Sequence, residues 1–461
     1  MGSKRQNIQM ELAFTAEGRG EALIPVRGGT EWPMAGGGTE SLASTEHLME
    51  EVCEGVNVAK AVKRVQRNGG SPGIDGMPVE ALPDYLLGHW PVIRDQLLSG
   101  TYRPQPVKRV EIPKRGGGVR QLGIPTVVDR VIQQLLLQVL QRRWDRTFSE
   151  HSYGFRPGRS AHQAVAKAQK VIAQGYRWVV DIDLEKFFDR VNHDRLMGRV
   201  AKRVRDKRVL TVIRAFLNAG VLENGLVSPM QEGTPQGGPL SPLLSNLVLD
   251  ELDKELERRG HHYVRYADDS NIYVRSERAG QRVMEGLSRF ITKKLKLRVN
   301  KAKSAVAPVG KRTFLGFSVT GGKEPRRRIA PQALARFKAR VRKLTRRTRG
   351  VGMEQMVEQV ARYLVGWRGY FAYCETPTVL ERLDSWIRRR LRCVVWKHWK
   401  RGRRRFAELR QRGVGIYLAA CSAGSAHGPW RLSHSRALTV ALPNAYFDTL
   451  GLPRLGNRKI A

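Results

Sequence analysis

The sequence predicts an α+β fold in which helices and antiparallel strand pairs share the first two thirds and a basic helical region forms the last third. Three patterns predict it. Two β-like runs flank Gly116-Gly117-Gly118, Tyr263 to Val274 reads as strand, tight turn and strand, and from Pro331 onward the apolar spacing is helical.

Residues 1–45 are rich in Gly, Thr and Ser without a sustained period and are expected to form a mobile extension. From Thr45, the spacing of Glu51, Val52, Val56, Val62 and Val65 predicts one helix, ended by Asn68-Gly69-Gly70. A turn cluster, Ser71-Pro72-Gly73-Ile74-Asp75-Gly76, precedes a second helix around Leu82 to Leu98. Val107 to Ile124 is a hairpin whose glycine tip carries Lys114, Arg115 and Arg120. Helices follow over Val127 to Trp144 and Ser160 to Ile172, both read as scaffold. Trp178 to Leu184 alternates like a strand entering a helix with Phe187 and Phe188, and Asp194 to Leu217 is helix-rich. The turn-rich Gly233-Thr234-Pro235-Gln236-Gly237-Gly238-Pro239 precedes an apolar helix, Leu243 to Leu256.

Charge narrows the function. Lys and Arg number 82 against 42 Asp and Glu, a formal charge of +40, too basic for a housekeeping metabolic enzyme and suited to a nucleic-acid partner. Residues 323–412 alone hold 27 Lys and Arg against 7 Asp and Glu, a surplus of +20. Trp367, Tyr370, Phe371, Tyr373, Trp386, Trp396 and Trp399 lie among those cations. Cys53, Cys374, Cys393 and Cys421 stand at least 19 residues apart, so no C-x-x-C pair offers a zinc site, and a reduced, intracellular chain is expected. No run approaches the ~18 apolar residues of a membrane span, and Met1 to Met10 lacks the features of a secretory or myristoylation signal.

In so cationic a chain, carboxylates at strand ends need a reason. Asp268 and Asp269 sit at a hairpin turn, and Asp181 and Asp183 share one face at the end of another strand. Asp-Asp alone is an ordinary turn pair, because Asp favours turns. Here the hairpin is apolar and aromatic, Asp183 lies about 85 residues earlier, and a Thr-Pro-Gln-Gly-Gly loop falls between them. If the strands are neighbours, three or four carboxylates converge and call for hard divalent cations. Two such ions would activate a primer hydroxyl and stabilise leaving pyrophosphate.

At these residues the chain resembles the bacterial group II intron reverse transcriptase/maturases. Tyr266-Ala267-Asp268-Asp269 looks like the catalytic box of reverse transcriptases. Similar blocks run in order over about residues 55–410: Gly69 to Gly76, Arg120 to Pro125, Ser152 to Ser160, the Asp183 box, Thr234 to Gly237, the Tyr266 box, and Lys301 to Ser304 with Phe314-Leu315-Gly316. The resemblance implies a right-hand polymerase, with fingers over 46–180, a palm with an antiparallel sheet over 181–320, and an α-helical thumb/maturase over 321–412 that binds intron RNA. It implies Asp183, Leu184, Asp268 and Asp269 as the metal set, Mg²⁺ as the ion with Mn²⁺ as an alternative, and dNTPs as substrates. Phe188, five residues after Asp183, resembles the gate that excludes a 2′-hydroxyl; its alternative is a core aromatic beside Phe187. Asp181 is then a supporting carboxylate or a plain strand residue.

Lys114 and Arg120 would lie over the triphosphate, where cations offset charge on departing pyrophosphate; Arg115 competes with Lys114. Gln236 resembles the residue that contacts the nucleotide sugar, and Lys303 the general acid, with a solvated charge beside Lys301 as its alternative. In the helical region the arginines are the better candidates for RNA contact and most aromatics are expected in the core. Residues 413–461 show little pattern beyond Leu438 to Leu442 and Ala445-Tyr446-Phe447, and Cys421, His427 and His434 do not form the paired-cysteine endonuclease many members carry. A short extension with DNA binding as its role is expected there. The expected partners are the chain's own intron RNA and a DNA target or primer, without a membrane; the expected location is the cytoplasm, on the nucleoid. The rivals are a splicing-only maturase and the reverse transcriptases of retrons, diversity-generating elements and CRISPR arrays.

Overall fold

The computed structural model describes residues 45–113, 119–223, 226–228, 232–233 and 237–456. The expected mobile extension and the hairpin tip with Lys114 lie outside them. The chain divides into two compact units, which meet in sequence at Leu315–Gly316.

In the first unit the helix expected from Thr45 to Asn68 is two, α1 (Leu48–Val52) and α2 (Gly55–Asn68). The break falls at Cys53-Glu54, where Glu54 is extended (ψ 135°) and Gly55, a poor helix former, begins the second segment. After α3 (Leu82–Ser99), strands β1 (Val107–Pro113) and β2 (Val119–Ile124) pair with Ile112 opposite Arg120. Helix α4 (Val127–Trp144) starts where the Thr126 hydroxyl accepts from the Asp129 amide, the usual N-cap device. Helix α5 (Ala161–Ala173) opens with a capping box between Ser160 and Gln163. Strand β3 (Trp178–Ile182) ends in a single 3₁₀ turn, Phe187–Asp189, where a helix was expected; Lys186 at φ +48° precludes a longer continuous one.

Helices α6 (His193–Ala201) and α7 (Lys207–Asn218) lead to two short strands, β4 (Val221–Glu223) and β5 (Leu226–Ser228), that extend the first hairpin into a sheet ordered β2-β1-β4-β5. Helix α8 (Ser241–Arg258) precedes β6 (His262–Tyr266) and β7 (Asp269–Val274), and α9 (Glu277–Phe290) precedes β8 (Ala305–Pro308). The second sheet runs β6-β7-β3-β8, antiparallel throughout. Helix α9 covers β3, β7 and β8, while α5 and α8 pack on β6, so most side chains of β3, β6 and β7 are buried and those of β8 are half-buried.

The second unit begins with a hairpin, β9 (Phe317–Val319) and β10 (Arg327–Ile329), followed by α10 (Pro331–Leu344), α11 (Met353–Phe371), α12 (Pro377–His398) and α13 (Gly402–Gln411). Its core is aromatic: Phe337 and Trp367 have ring centroids 4.2 Å apart, and Trp367 and Phe371 4.8 Å. The stretch with little sequence pattern forms four short helices, α14 (Ile416–Ala423), α15 (Pro429–Leu432), α16 (Arg436–Ala441) and α17 (Asn444–Thr449). Arginines of α12 hold them: Arg392 Nε donates to the Leu442 carbonyl (2.8 Å) and Arg388 pairs with Asp384 and Asp448 (3.2 and 2.7 Å). Both are buried, so these two arginines build the unit's interior instead of facing an RNA. No described helix is long and apolar enough to cross a membrane.

Candidate active site

The register of the second sheet brings the acidic residues together. Ile182 of β3 faces Ser270 of β7, and Tyr266 of β6 faces Asp269. Asp183, one residue beyond Ile182, therefore ends its strand beside Asp269, at the spacing of neighbouring strands, about 5 Å. Asp268 occupies the two-residue turn with Ala267, whose φ of +54° is the positive value that the first position of a primed hairpin turn needs.

Asp183 is buried and is held through its main chain. Its amide donates to Ser304 Oγ (3.0 Å), and its carbonyl accepts from the Asn300 amide (2.8 Å). Leu184 bridges to Val299 and its side chain belongs to the core, leaving only its main-chain carbonyl for a cation. The turn that binds Asp183 thus carries Lys303, whose Nζ lies 3.7 Å from Asp183 Oδ2 although most of its side chain is exposed. Asp181 is engaged elsewhere: Arg312 Nε donates to its Oδ2 at 3.0 Å. The sheet end therefore gathers three acidic residues, Asp183, Asp268 and Asp269, with the fourth committed to an arginine.

Phe187 and Phe188 divide the two roles weighed from sequence. Phe187 is 3% exposed and fills the core, whereas Phe188 is half-buried and rests on Phe187 with centroids 5.2 Å apart at 68°. The Thr-Pro-Gln loop is anchored at both ends. Gly233, at φ +96°, would drive a Cβ to 2.9 Å from the Phe188 carbonyl, and its own carbonyl accepts from His193 Nε2 at 2.6 Å. Gly237, at φ +136°, would put a Cβ 2.6 Å from the Gly123 carbonyl of β2. The two glycines thus lie against the Phe188 turn and the first hairpin. Gln236 lies outside the described residues, as does Lys114, and of Arg120 only the strand position opposite Ile112 is described.

Sequence reasoning missed Arg265 and Gly154. Arg265 is fully buried in β6, bonded to Asp253 of α8. Gly154 packs so tightly on the turn that a Cβ there would overlap the Ala267 amide. Gly154 was visible as part of the Ser152 to Ser160 block, but its reason, backbone approaching backbone, needs the fold.

All the site's acidic donors are hard oxygens, and among the described residues no group of three or more His, Cys, Asp or Glu, this trio included, is arranged to hold a metal ion by itself. That donor set fits a divalent ion of the Mg²⁺ kind, which takes one or two carboxylates and completes its shell with water and substrate phosphates. Paired acidic strand ends in an antiparallel sheet are the arrangement of a nucleotidyl-transferring enzyme, the class of protein to which the fold and site point.

Comparison with known proteins gives the family. Residues 112–319 match the model for "Reverse transcriptase (RNA-dependent DNA polymerase)", and residues 334–413 match "Group II intron, maturase-specific domain". Protein YkfC of Escherichia coli is 32% identical over 311 residues, 59% of this chain and 82% of YkfC. The group II intron-encoded protein LtrA of Lactococcus lactis is 31% identical over 293 residues, 49% of each chain, so about half of that relative is matched. Among solved structures, a partial Cas6-RT-Cas1–Cas2 complex is similar at 25% identity and a TM-score of 0.35, covering 53% of this chain and 42% of that one. The chain belongs to the group II intron reverse transcriptase/maturase family: an RNA-directed DNA polymerase domain followed by an intron maturase domain.

Proposed function

We propose that this protein binds the RNA of its own group II intron, promotes its splicing, and later copies it into cDNA from a DNA primer. The observation that carries the reading is the intact trio Asp183, Asp268 and Asp269, retained at one sheet end in a chain of +40 charge. Asp183, Asp268, Asp269 and the Leu184 carbonyl would hold Mg²⁺, with Mn²⁺ as the alternative, and the bound ion supplies activation of the primer hydroxyl and charge stabilisation on departing pyrophosphate.

The chain's own groups do the rest. Phe188, half-exposed on its 3₁₀ turn, offers the ring edge against which a ribose 2′-hydroxyl would clash. Lys303, 3.7 Å from Asp183, would give a proton to the pyrophosphate oxygen. Lys114 and Arg120 would offset triphosphate charge, and Gln236 would line the nucleotide sugar between two anchored glycines. In this reading residues 46–180 are fingers, 181–320 palm, 321–412 thumb and maturase, and 413–461 a short extension toward target DNA. The work would take place in the cytoplasm, on the nucleoid.

Sequencing RNA crosslinked to the purified protein tests the partner. Intron RNA enriched over total RNA is expected; a small structured RNA or a repeat transcript in its place would point to a retron or CRISPR role and overturn the intron assignment.

A further inference from the structure

We infer that Arg265, gripped by Asp253, is a positioning residue that sets the catalytic turn by holding the Ala267 carbonyl, and so aims Asp268 and Asp269. The inference rests on the polymerase reading of the site.

Both partners are fully buried. Arg265 Nε and Nη2 donate to Asp253 Oδ1 and Oδ2 at 2.8 and 2.5 Å, the two-pronged geometry natural to guanidinium and carboxylate. The remaining nitrogen, Nη1, donates to Ala267 O at 2.8 Å and to Asn246 Oδ1 at 3.0 Å. Asn246 Nδ2 in turn donates to the Gly154 carbonyl at 2.9 Å. The main chain of Arg265 is bound as well, its amide to His151 O and its carbonyl to the Tyr153 amide, each at 2.9 Å. Groups from α8 and the 151–154 loop thus hold Arg265 and Gly154, and those two meet the two-residue turn itself.

Two arguments make this more than packing. A buried ion pair is no more stabilising than well-packed apolar residues of the same volume, so stability alone does not account for a charge at this spot. Ala267 also holds a positive φ, which a residue with a side chain keeps only where its surroundings over-determine it. The bond from Nη1 to its carbonyl and the close approach of Gly154 are those surroundings.

The test uses the full-length protein, with Arg265→Lys, Asn246→Ala, and a double variant, Asp253→Leu with Arg265→Met, that removes both charges together. Three quantities are read: dNTP incorporation on an RNA template, Mn²⁺ binding to the primer–template complex by electron paramagnetic resonance, and hydrogen exchange over residues 262–274. The expected result is kcat lowered about 100-fold, the cost of a misplacement near 1 Å. dNTP KM and RNA affinity should change far less, Mn²⁺ binding should weaken several-fold, and exchange should quicken at the turn. Asn246→Ala keeps the ion pair but takes away the second anchor of Nη1 and the bond to the Gly154 carbonyl, the two supports of the turn's surroundings, and decides the matter if the other two fail to fold. Folded variants with wild-type kcat, Mn²⁺ binding and exchange would overturn the inference. If the wild-type chain incorporates no dNTP, the polymerase reading fails by itself, and unchanged exchange and Mn²⁺ binding in the variants would still overturn the clamp.

Discussion

Asp181 and Arg312 form an ion pair that ties β3 to the turn bearing Lys303. Arg312 Nε donates to Asp181 Oδ2 at 3.0 Å, and its Nη2 donates to the Lys303 carbonyl at 2.9 Å. Two aspartates on one strand face thus have different duties. Asp181→Asn is expected to lower stability by about 1–3 kcal/mol, the scale of a hydrogen bond to a charged group, and to leave the divalent-ion requirement unchanged. Asp183→Asn should do the reverse, abolishing dNTP incorporation with little change in the urea midpoint. A metal requirement shifted by Asp181→Asn would show that this carboxylate also serves the ion.

The two phenylalanines separate in the same manner. Phe188→Val should admit ribonucleotides, lowering discrimination between dNTP and rNTP by roughly 10–100-fold in kcat/KM, within the range set by a missing pocket contact. Phe187→Val, a truncation in the core, should instead cost about 1–3 kcal/mol of stability and leave sugar choice intact. Single-turnover incorporation with matched dNTP and rNTP checks both.

Buried and exposed arginines of the second unit should behave differently toward RNA. Arg388→Ala removes one partner from Asp384 and Asp448, which keep the Leu455 and Gly456 amides and Arg454 respectively, and is expected to cost about 1–3 kcal/mol, with the salt dependence of RNA binding unaltered in the folded fraction. Arg403, exposed on α13, should weaken RNA binding when changed to Ala and reduce the slope of log K against log salt by about 1 if it meets a phosphate. Filter binding between low and moderate salt distinguishes them.

Asp129 gives a pH signature. Burial lifts its pKa to about 6, against the hydrogen bonds it accepts from Thr126, Tyr102 and Gln105. Its folded value lies above the unfolded one near 4, so the protonated form favours the fold. The contribution is full below pH ~4 and is lost as pH rises through ~6, a swing of roughly 3 kcal/mol. Asp129→Asn removes that titration. The stability difference between wild type and variant should therefore shift against the wild type from pH 4 to 7, and parallel curves would contradict it.

Local pattern was enough where short-range periodicity decides structure. Helix α4 runs from Val127 to Trp144 as its apolar spacing predicts, and the hairpin around Asp268 lies where alternation placed it. Strands β4, β5 and β8 carry three or four residues each, too short for alternation to register; β4 and β8 owe their form to pairing with distant β1 and β3, and β5 follows by pairing with β4. The helices of residues 416–449 are likewise only four to eight residues long, and the last two are held by Arg388 and Arg392 of α12. Arg265 was legible as a strand residue but not as a buried one. Its partner sits on a helix, and nothing in a single sequence shows that β6 is covered on both faces. Around that residue, burial opposes the charge, and Asp253's attraction and hydrogen bonds outweigh it, so its pKa stands above the ordinary arginine value.

The most direct measurement replaces Asp268 and Asp269 with Ala together and follows dNTP incorporation on an RNA template beside splicing of the intron RNA. The expected result is loss of incorporation to background, with intron binding and splicing kept, because the basic second unit and the sheet remain. Retained incorporation by a folded double variant would contradict the assignment of these carboxylates as the centre of the polymerase.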